Sequence, residues 1–171
     1  MIVILNGSVG VGKTAVSWKI KSLLYHSVML DGDYLGAVNP FELHSNDRIF
    51  HLYKTIACLI KFHQQEGFKH FVVNYVFENE EQLNLLKTEL ERFDETIYCC
   101  LLYCEEEVLK QRIKNRNNQR LEWELQRALE LNYILSEASY IGFIGTRLNT
   151  TNLNADEVAT IIVEKAQQAK A

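Results

Sequence analysis

Two clusters near the start of the chain have residue types and spacings suited to chemistry. The first, Gly7-Ser8-Val9-Gly10-Val11-Gly12-Lys13-Thr14, fits the pattern GxxxxGK[ST] in full. Glycines so spaced let the backbone turn until successive N–H groups point inward, and the amino end of a following helix reinforces their positive potential. Such a loop cradles phosphates. Lys13 is then placed to reach the β- and γ-phosphates of a nucleoside triphosphate, and the Thr14 hydroxyl to ligate Mg²⁺. The second cluster, Asp31-Gly32-Asp33, closes an apolar run that begins at Ser27. In an extended chain residues two apart share a side, so both carboxylates project from one sheet edge, the edge where open α/β folds bind ligands. One acid near Mg²⁺ and another near a substrate hydroxyl is what phosphoryl transfer uses, because the protein mainly positions groups and neutralises charge. A solvated Asp-Gly-Asp turn has the same composition. The phosphate loop just upstream favours the functional reading.

Those clusters need elements to hold them. Apolar, β-branched runs at Met1–Leu5, Ser27–Leu30, His70–Phe77, Thr96–Tyr103 and near Ile141–Ile144 predict strands of a buried sheet. Helical periods lie between them. Lys13–His26 puts Val16, Ile20, Leu23 and Leu24 on one stripe, and Asp47–Glu66 does so with Ile49, Phe50, Tyr53, Ile56, Ala57 and Ile60 before Gly67. Glu80–Phe93 follows with Leu83, Leu86, Leu90 and Phe93, and Asn154 with Glu157 starts a last helix as a capping box. Alternating strands and helices predict an α/β fold with a parallel sheet covered on both faces. Only Pro40 and no Ser/Gly-rich linker interrupt the pattern, so residues 1–171 are expected to form a single domain.

Composition excludes several classes. With 171 residues, 47% hydrophobic and 23% charged, a net charge of -4 and a pI near 5.8, the chain reads as an ordinary globular protein with no global pull toward polyanions. The longest apolar runs fall far short of the roughly 18 residues that cross a bilayer, and no cleavable signal pattern precedes the glycine loop; a cytoplasmic protein with no membrane partner is expected. Cys99, Cys100 and Cys104 sit in a strand-like run without CxxC spacing, and with Cys58 they read as reduced, buried thiols. No Asn-Lys-x-Asp guanine reader is present. The apolar run 70–77 offers Asn74 where a transporter ATPase would place an aspartate.

The basic segment at residues 110–127 carries Arg112, Arg116 and Arg120 four apart, on one face if helical, with Asn115, Asn117 and Asn118 weakening the helix between them. It reads equally as a flexible basic patch and as a solvated helix surface.

With an amino-terminal phosphate loop, an Asp-x-Asp after the second strand and a late basic segment, the chain resembles the small P-loop kinases, the group of shikimate, gluconate, adenylylsulfate and nucleoside-monophosphate kinases and chloramphenicol phosphotransferase. The resemblance implies a three-layer α/β/α P-loop NTPase fold with a five-stranded parallel sheet in order 2-3-1-4-5. It also implies ATP with Mg²⁺, a mobile lid around residues 112–122 and a small-molecule phosphate acceptor. By that likeness Gly7 through Thr14 hold the phosphates, with Lys13 catalytic, and Asp31 joins Thr14 in supporting Mg²⁺. Asp33 orients or deprotonates the acceptor hydroxyl. Arg112 stacks on adenine and Arg120 closes over the transferring phosphate, with Arg116 a competitor for either task. The acceptor side is then lined by polar groups that include Asn39, His44, Arg48, Asn74, Tyr75 and Glu78. An arginine that adenylylsulfate kinases carry after Asp-Gly-Asp is missing, and the glycine-rich turn of shikimate kinases is replaced by 74–78, so neither substrate transfers by name.

The leading expectation is an ATP-dependent kinase of a small metabolite's hydroxyl or phosphate. A nucleotide-gated regulatory module is a second class, although the presence of both aspartates speaks against it. A kinase of polynucleotide ends is a third, and it would need a basic stripe that this chain lacks.

Overall fold

Residues 2–5 are apolar at every position, which suits a strand buried on both faces. In the computed structural model, which describes residues 1–43, 45–93, 96–116, 120–136 and 146–169, they form β1 (Ile2–Gly7), the central strand. Around it stand β2 (Ser27–Asp31), β3 (His70–Asn74), β4 (Ile97–Tyr103) and β5 (Thr146–Asn149), every pairing parallel, in the order β2-β3-β1-β4-β5. The five-stranded order expected from the resemblance is the order found.

The period of two along β1 divides the core. Ile2 and Ile4 pack on one face with α3 (Asn46–Gln65) and α4 (Glu80–Glu91), through Leu52, Tyr53, Ile56, Ile60, Leu83, Leu86 and Leu90. Val3 and Leu5 pack on the other with α1 (Lys13–Leu23), α5 (Glu106–Lys114) and α7 (Ala155–Gln168), through Val16, Ile20, Leu109, Ile113, Val158 and Ile162. Each fully buried aliphatic side chain contributes about 1.5–3 kcal/mol. Between β2 and α3 lies a single helical turn, α2 (Gly32–Leu35), and α6 (Leu121–Ser136) follows α5. The capping box at Asn154 is present, its side chain accepting from the Asp156 and Glu157 N–H groups while Glu157 accepts from the Asn154 N–H.

Several expectations are corrected. The strand expected over His70–Phe77 stops at Asn74, since the chain leaves the sheet there. Leu23 and Phe50, expected in the buried stripes, are 54% and 46% exposed. Leu23 closes α1, and Phe50 sits one position beyond the Ile49–Tyr53–Ile56 stripe that the core accepts. Cys58 is exposed on α3, whereas Cys99, Cys100 and Cys104 are buried; burial pushes the Cys99 and Cys100 thiols up to about 11 and about 12. The described fifth strand is Thr146–Asn149, and Ile141–Ile144, like His44, Asn117 and Asn118, lie outside the described residues. No described helix is long and apolar enough to cross a membrane.

Candidate functional site

The loop between β1 and α1 can take its path only with glycine at two positions. Gly7 has φ +152°, and a Cβ there would lie 2.6 Å from the Leu102 carbonyl oxygen of β4. Gly10 has φ +85°, and its Cβ would meet Ile113 of α5 at 2.5 Å. The entry to the loop is fixed by Asn6, a residue without a part in the sequence reading. Its Oδ1 accepts from the Gly7 N–H at 2.7 Å and the Phe77 N–H at 3.0 Å, and its Nδ2 donates to the Phe77 carbonyl at 3.0 Å. This buried amide ties the loop to the chain leaving β3. Asn6→Ala strands two buried N–H groups and is expected to destabilise the fold by roughly 2–3 kcal/mol, read by urea denaturation.

Lys13, the first residue of α1, folds back over the loop and donates from Nζ to the Gly7 and Ser8 carbonyls at 2.9 and 3.1 Å. Burial holds its ammonium down to about 8, against the opposing pull of Asp33 and Asp31 and with a smaller push from Arg116. Asp31 is the hub beside it. Its Oδ2 accepts from the Thr14 hydroxyl at 3.1 Å and from the Asn74 Nδ2 at 2.9 Å, and its Oδ1 accepts from the Asp33 N–H at 3.0 Å. Asp31 faces Asn74 across the β2–β3 register. The Asn74 Oδ1 is buried without a hydrogen-bond partner. A hard divalent cation takes oxygen ligands from one or two carboxylates, a hydroxyl and water. The Thr14 hydroxyl and the Asp31 carboxylate, bonded at 3.1 Å, are oxygen donors of the kind that fits it.

The same-side argument for Asp31 and Asp33 assumed an extended chain, and the structure corrects it. Asp31 is the N-cap of α2 and Asp33 lies in its first turn. Asp33 still reaches the cleft, because the turn swings it over the loop toward Lys13 and Arg48. Burial raises its carboxyl above the ordinary value, with Lys13 pulling down, Asp31 pushing up and Arg48 pulling down more weakly.

A cavity of about 660 Å³ collects these groups, its wall including Val9, Gly10, Gly12, Lys13, Thr14 and Asp33. Arg48, Tyr75, Arg116 and Arg120 open onto it from the other side. Of the other loop residues, Ser8 and Val11 are buried beneath the turn and Gly7 ends the strand. Asn74 is turned to Asp31 and does not line the cavity.

The three arginines do not share one helix face. Arg112 is on α5, Arg116 follows its end and Arg120 precedes α6. Arg112 donates to the Val11 carbonyl at 3.3 Å, the Thr150 hydroxyl at 3.0 Å and the Thr150 carbonyl at 2.7 Å. It borders a second cavity of about 230 Å³, formed with Gly12, Ala15, Leu153 and Asn154. The sequence reading also missed Trp123, Arg127 and Leu131, which line the main cavity from α6. Their spacing of four is the signal that marks one helix face.

No family model matches the chain, and no curated protein matches it in sequence. Solved structures do match. A gluconokinase from Sinorhizobium meliloti 1021 is 17% identical, with 98% of this chain and 93% of that one covered at a TM-score of 0.68. The APS kinase of Mycobacterium tuberculosis, in complex with AMPPNP and APS, is 18% identical over 97% and 96% at 0.65. The tunicamycin resistance protein of Deinococcus radiodurans is 16% identical over 96% and 94% at 0.68. At these identities the likeness is one of fold, and it extends over nearly the whole length of each chain. By fold, the chain stands with the small P-loop kinases.

Proposed function

We propose that the protein is an ATP-dependent kinase that transfers the γ-phosphate to a hydroxyl or phosphate of a small molecule. The carrying observation is convergence: the loop, Lys13, Thr14 and Asp33 open onto one cavity, with Asp31 bonded to Thr14. The kinases among the fold's neighbours support the same class. In this reading the N–H groups of residues 8–14 hold the triphosphate and Lys13 leaves the Gly7 and Ser8 carbonyls for the β- and γ-phosphates. Thr14 and Asp31 hold Mg²⁺, which when bound neutralises phosphate charge. Asp33 accepts the proton of the acceptor hydroxyl, and its raised pKa makes it the stronger base for that task. Arg116 and Arg120 close over the transferring phosphate as parts of a lid around 112–122. Arg112, beside the smaller cavity, flanks adenine, while Arg48 and Tyr75 bound the acceptor.

Calorimetry with Mg²⁺ and ATP, followed by ADP release against a panel of sugar acids, nucleosides, nucleotides and antibiotics, tests the proposal. Magnesium-dependent binding with acceptor-dependent ADP release is expected. Binding without turnover across the panel would return the protein to the nucleotide-gated class, and no binding would remove both.

One linked effect is expected from Lys13. With its ammonium held down to about 8 by burial, the side chain is mostly neutral at pH 9, and a bound triphosphate restores its proton. ATP binding should therefore take up most of one proton near pH 9 and almost none near pH 6.5 from this group. Calorimetry in buffers of different ionisation enthalpy reads the difference.

A further inference from the structure

The smaller cavity shares Gly12 with the main one, so it opens beside the phosphate loop. Most of its lining is aliphatic, from Val11, Ala15, Val16, Leu153 and Val158, and among the described residues its cationic side chain is Arg112. Three bonds set that guanidinium. Nη1 donates to the Thr150 hydroxyl at 3.0 Å and to the Val11 carbonyl at 3.3 Å, and Nη2 donates to the Thr150 carbonyl at 2.7 Å. One threonine thus meets the guanidinium fork with two oxygens, and the third bond lands on the phosphate loop.

Thr150, directly after β5, is 2% exposed. Its N–H and its hydroxyl both donate to the Tyr103 carbonyl at the end of β4, at 2.8 and 3.2 Å. The hydroxyl proton is therefore committed to the sheet, and the oxygen is left to accept from the arginine. The next residue fastens the same turn to the start of α5, the helix that carries Arg112: the Thr151 hydroxyl accepts from the Glu105 N–H at 3.0 Å.

We infer that Thr150 is a positioning residue for the nucleotide: its hydroxyl fixes the plane of Arg112, whose face is presented to a flat base in the smaller cavity while its edge braces the phosphate loop at Val11. The inference rests on the triphosphate-binding part of the kinase reading and on nothing about the acceptor. Guanidinium N–H groups lie in the plane of the group, so bonds at its edge fix its tilt and leave its faces free to stack. Without the hydroxyl, Nη2 still holds the Thr150 carbonyl, but the group can swivel about that bond. A base then loses its platform. The phosphate loop, whose path depends on Gly7 and Gly10 and is clasped by Lys13, keeps its form.

The test compares two ligands that differ by the nucleoside, Mg·ATP and Mg·tripolyphosphate, each titrated by calorimetry into the native protein and into Thr150→Val, Thr150→Ser and Arg112→Lys. The native protein is expected to bind ATP more tightly than tripolyphosphate. Thr150→Val should weaken ATP about fivefold or more, the scale of one lost stacking contact with a cation, and change tripolyphosphate less than about twofold. Thr150→Ser, which keeps the hydroxyl, should restore ATP binding to within about twofold of native. Added to Arg112→Lys, Thr150→Val should cost nothing further, because the two side chains act as one unit. Equal losses for both ligands in Thr150→Val would make Thr150 a structural part of the loop and overturn the inference. So would unchanged ATP affinity in that variant, a serine that does not rescue, or a native protein that binds both ligands alike. Should a thermal melt show Thr150→Val unfolded, Arg112→Lys carries the same comparison, and equal losses there overturn the inference too. A native protein that binds neither ligand removes the kinase reading and the inference together, a result distinct from all the others.

Discussion

Lys13→Met is expected to lower ATP-dependent transfer by about 10³-fold, the cost of removing one preorganised charge from a developing phosphate transition state, while leaving the nucleotide-free protein more stable. The two effects have one cause. Lys13 is 8% exposed and its ammonium is held down to about 8 by burial, so the charge is carried at a cost. The folded pKa lies below the unfolded one. That penalty is therefore fully present below pH 8, and stability from this group rises as pH increases between about 8 and 10.5, where the folded state has released the proton and the unfolded state has not. Methionine removes the penalty but also the hydrogen bonds to the Gly7 and Ser8 carbonyls. A net gain of about 1 kcal/mol at pH 7, roughly 2–4 °C in melting temperature for a domain of this size, is expected. A thermal melt without nucleotide and a steady-state assay on the same preparation check both signs. A variant that is inactive and less stable would mean that Lys13 is chiefly a structural clasp of the loop.

Much of this was legible in the sequence for a definable reason. The loop is specified by glycines whose replacement would collide with backbone or core, as at Gly7 against Leu102 and Gly10 against Ile113, so its pattern is written in residue types. The sheet order followed from resemblance, and the β1 alternation of Ile2 and Ile4 against Val3 and Leu5 shows why the apolar runs had to be doubly buried. What stayed hidden depends on partners distant in sequence. Asn6 looks like one more polar residue until Phe77 is seen to lie against it, 71 positions on. Asn74 stood out on its own strand only as the absence of an aspartate, and the β2–β3 register is what shows Asp31 beside it, accepting from its Nδ2. The short helix at Gly32–Leu35 was hidden because Asp31 caps it with a single side-chain bond to the Asp33 N–H, a local choice that four residues of propensity do not announce. The aromatic lining of the main cavity was hidden because Phe41, Tyr75 and Trp123 come from three separate segments.

The second large effect concerns Asp33, the proposed proton acceptor. Asp33→Asn is expected to lower kcat/KM for the true acceptor by 10²- to 10⁴-fold, the usual contribution of a positioned proton acceptor, with ATP affinity nearly unchanged. The pH profile distinguishes this from simple loss of shape. For the native protein, kcat/KM should rise with pH as Asp33 ionises, on a limb lifted above the ordinary carboxylate range by burial, and fall again near pH 8 as Lys13 loses its proton in the free enzyme. The two groups pull on each other in opposite senses. Asp33 raises the Lys13 pKa and Lys13 lowers that of Asp33. Asp33→Asn should therefore erase the acidic limb and move the alkaline limb below its native position. Lys13→Met should erase the alkaline limb and carry the acidic limb of its residual activity upward. Crossed displacement of both limbs is a signature that two independent titrations do not produce. An Asp33→Asn enzyme that keeps the acidic limb would assign that ionisation, and with it the proton transfer, to another carboxylate of the cleft.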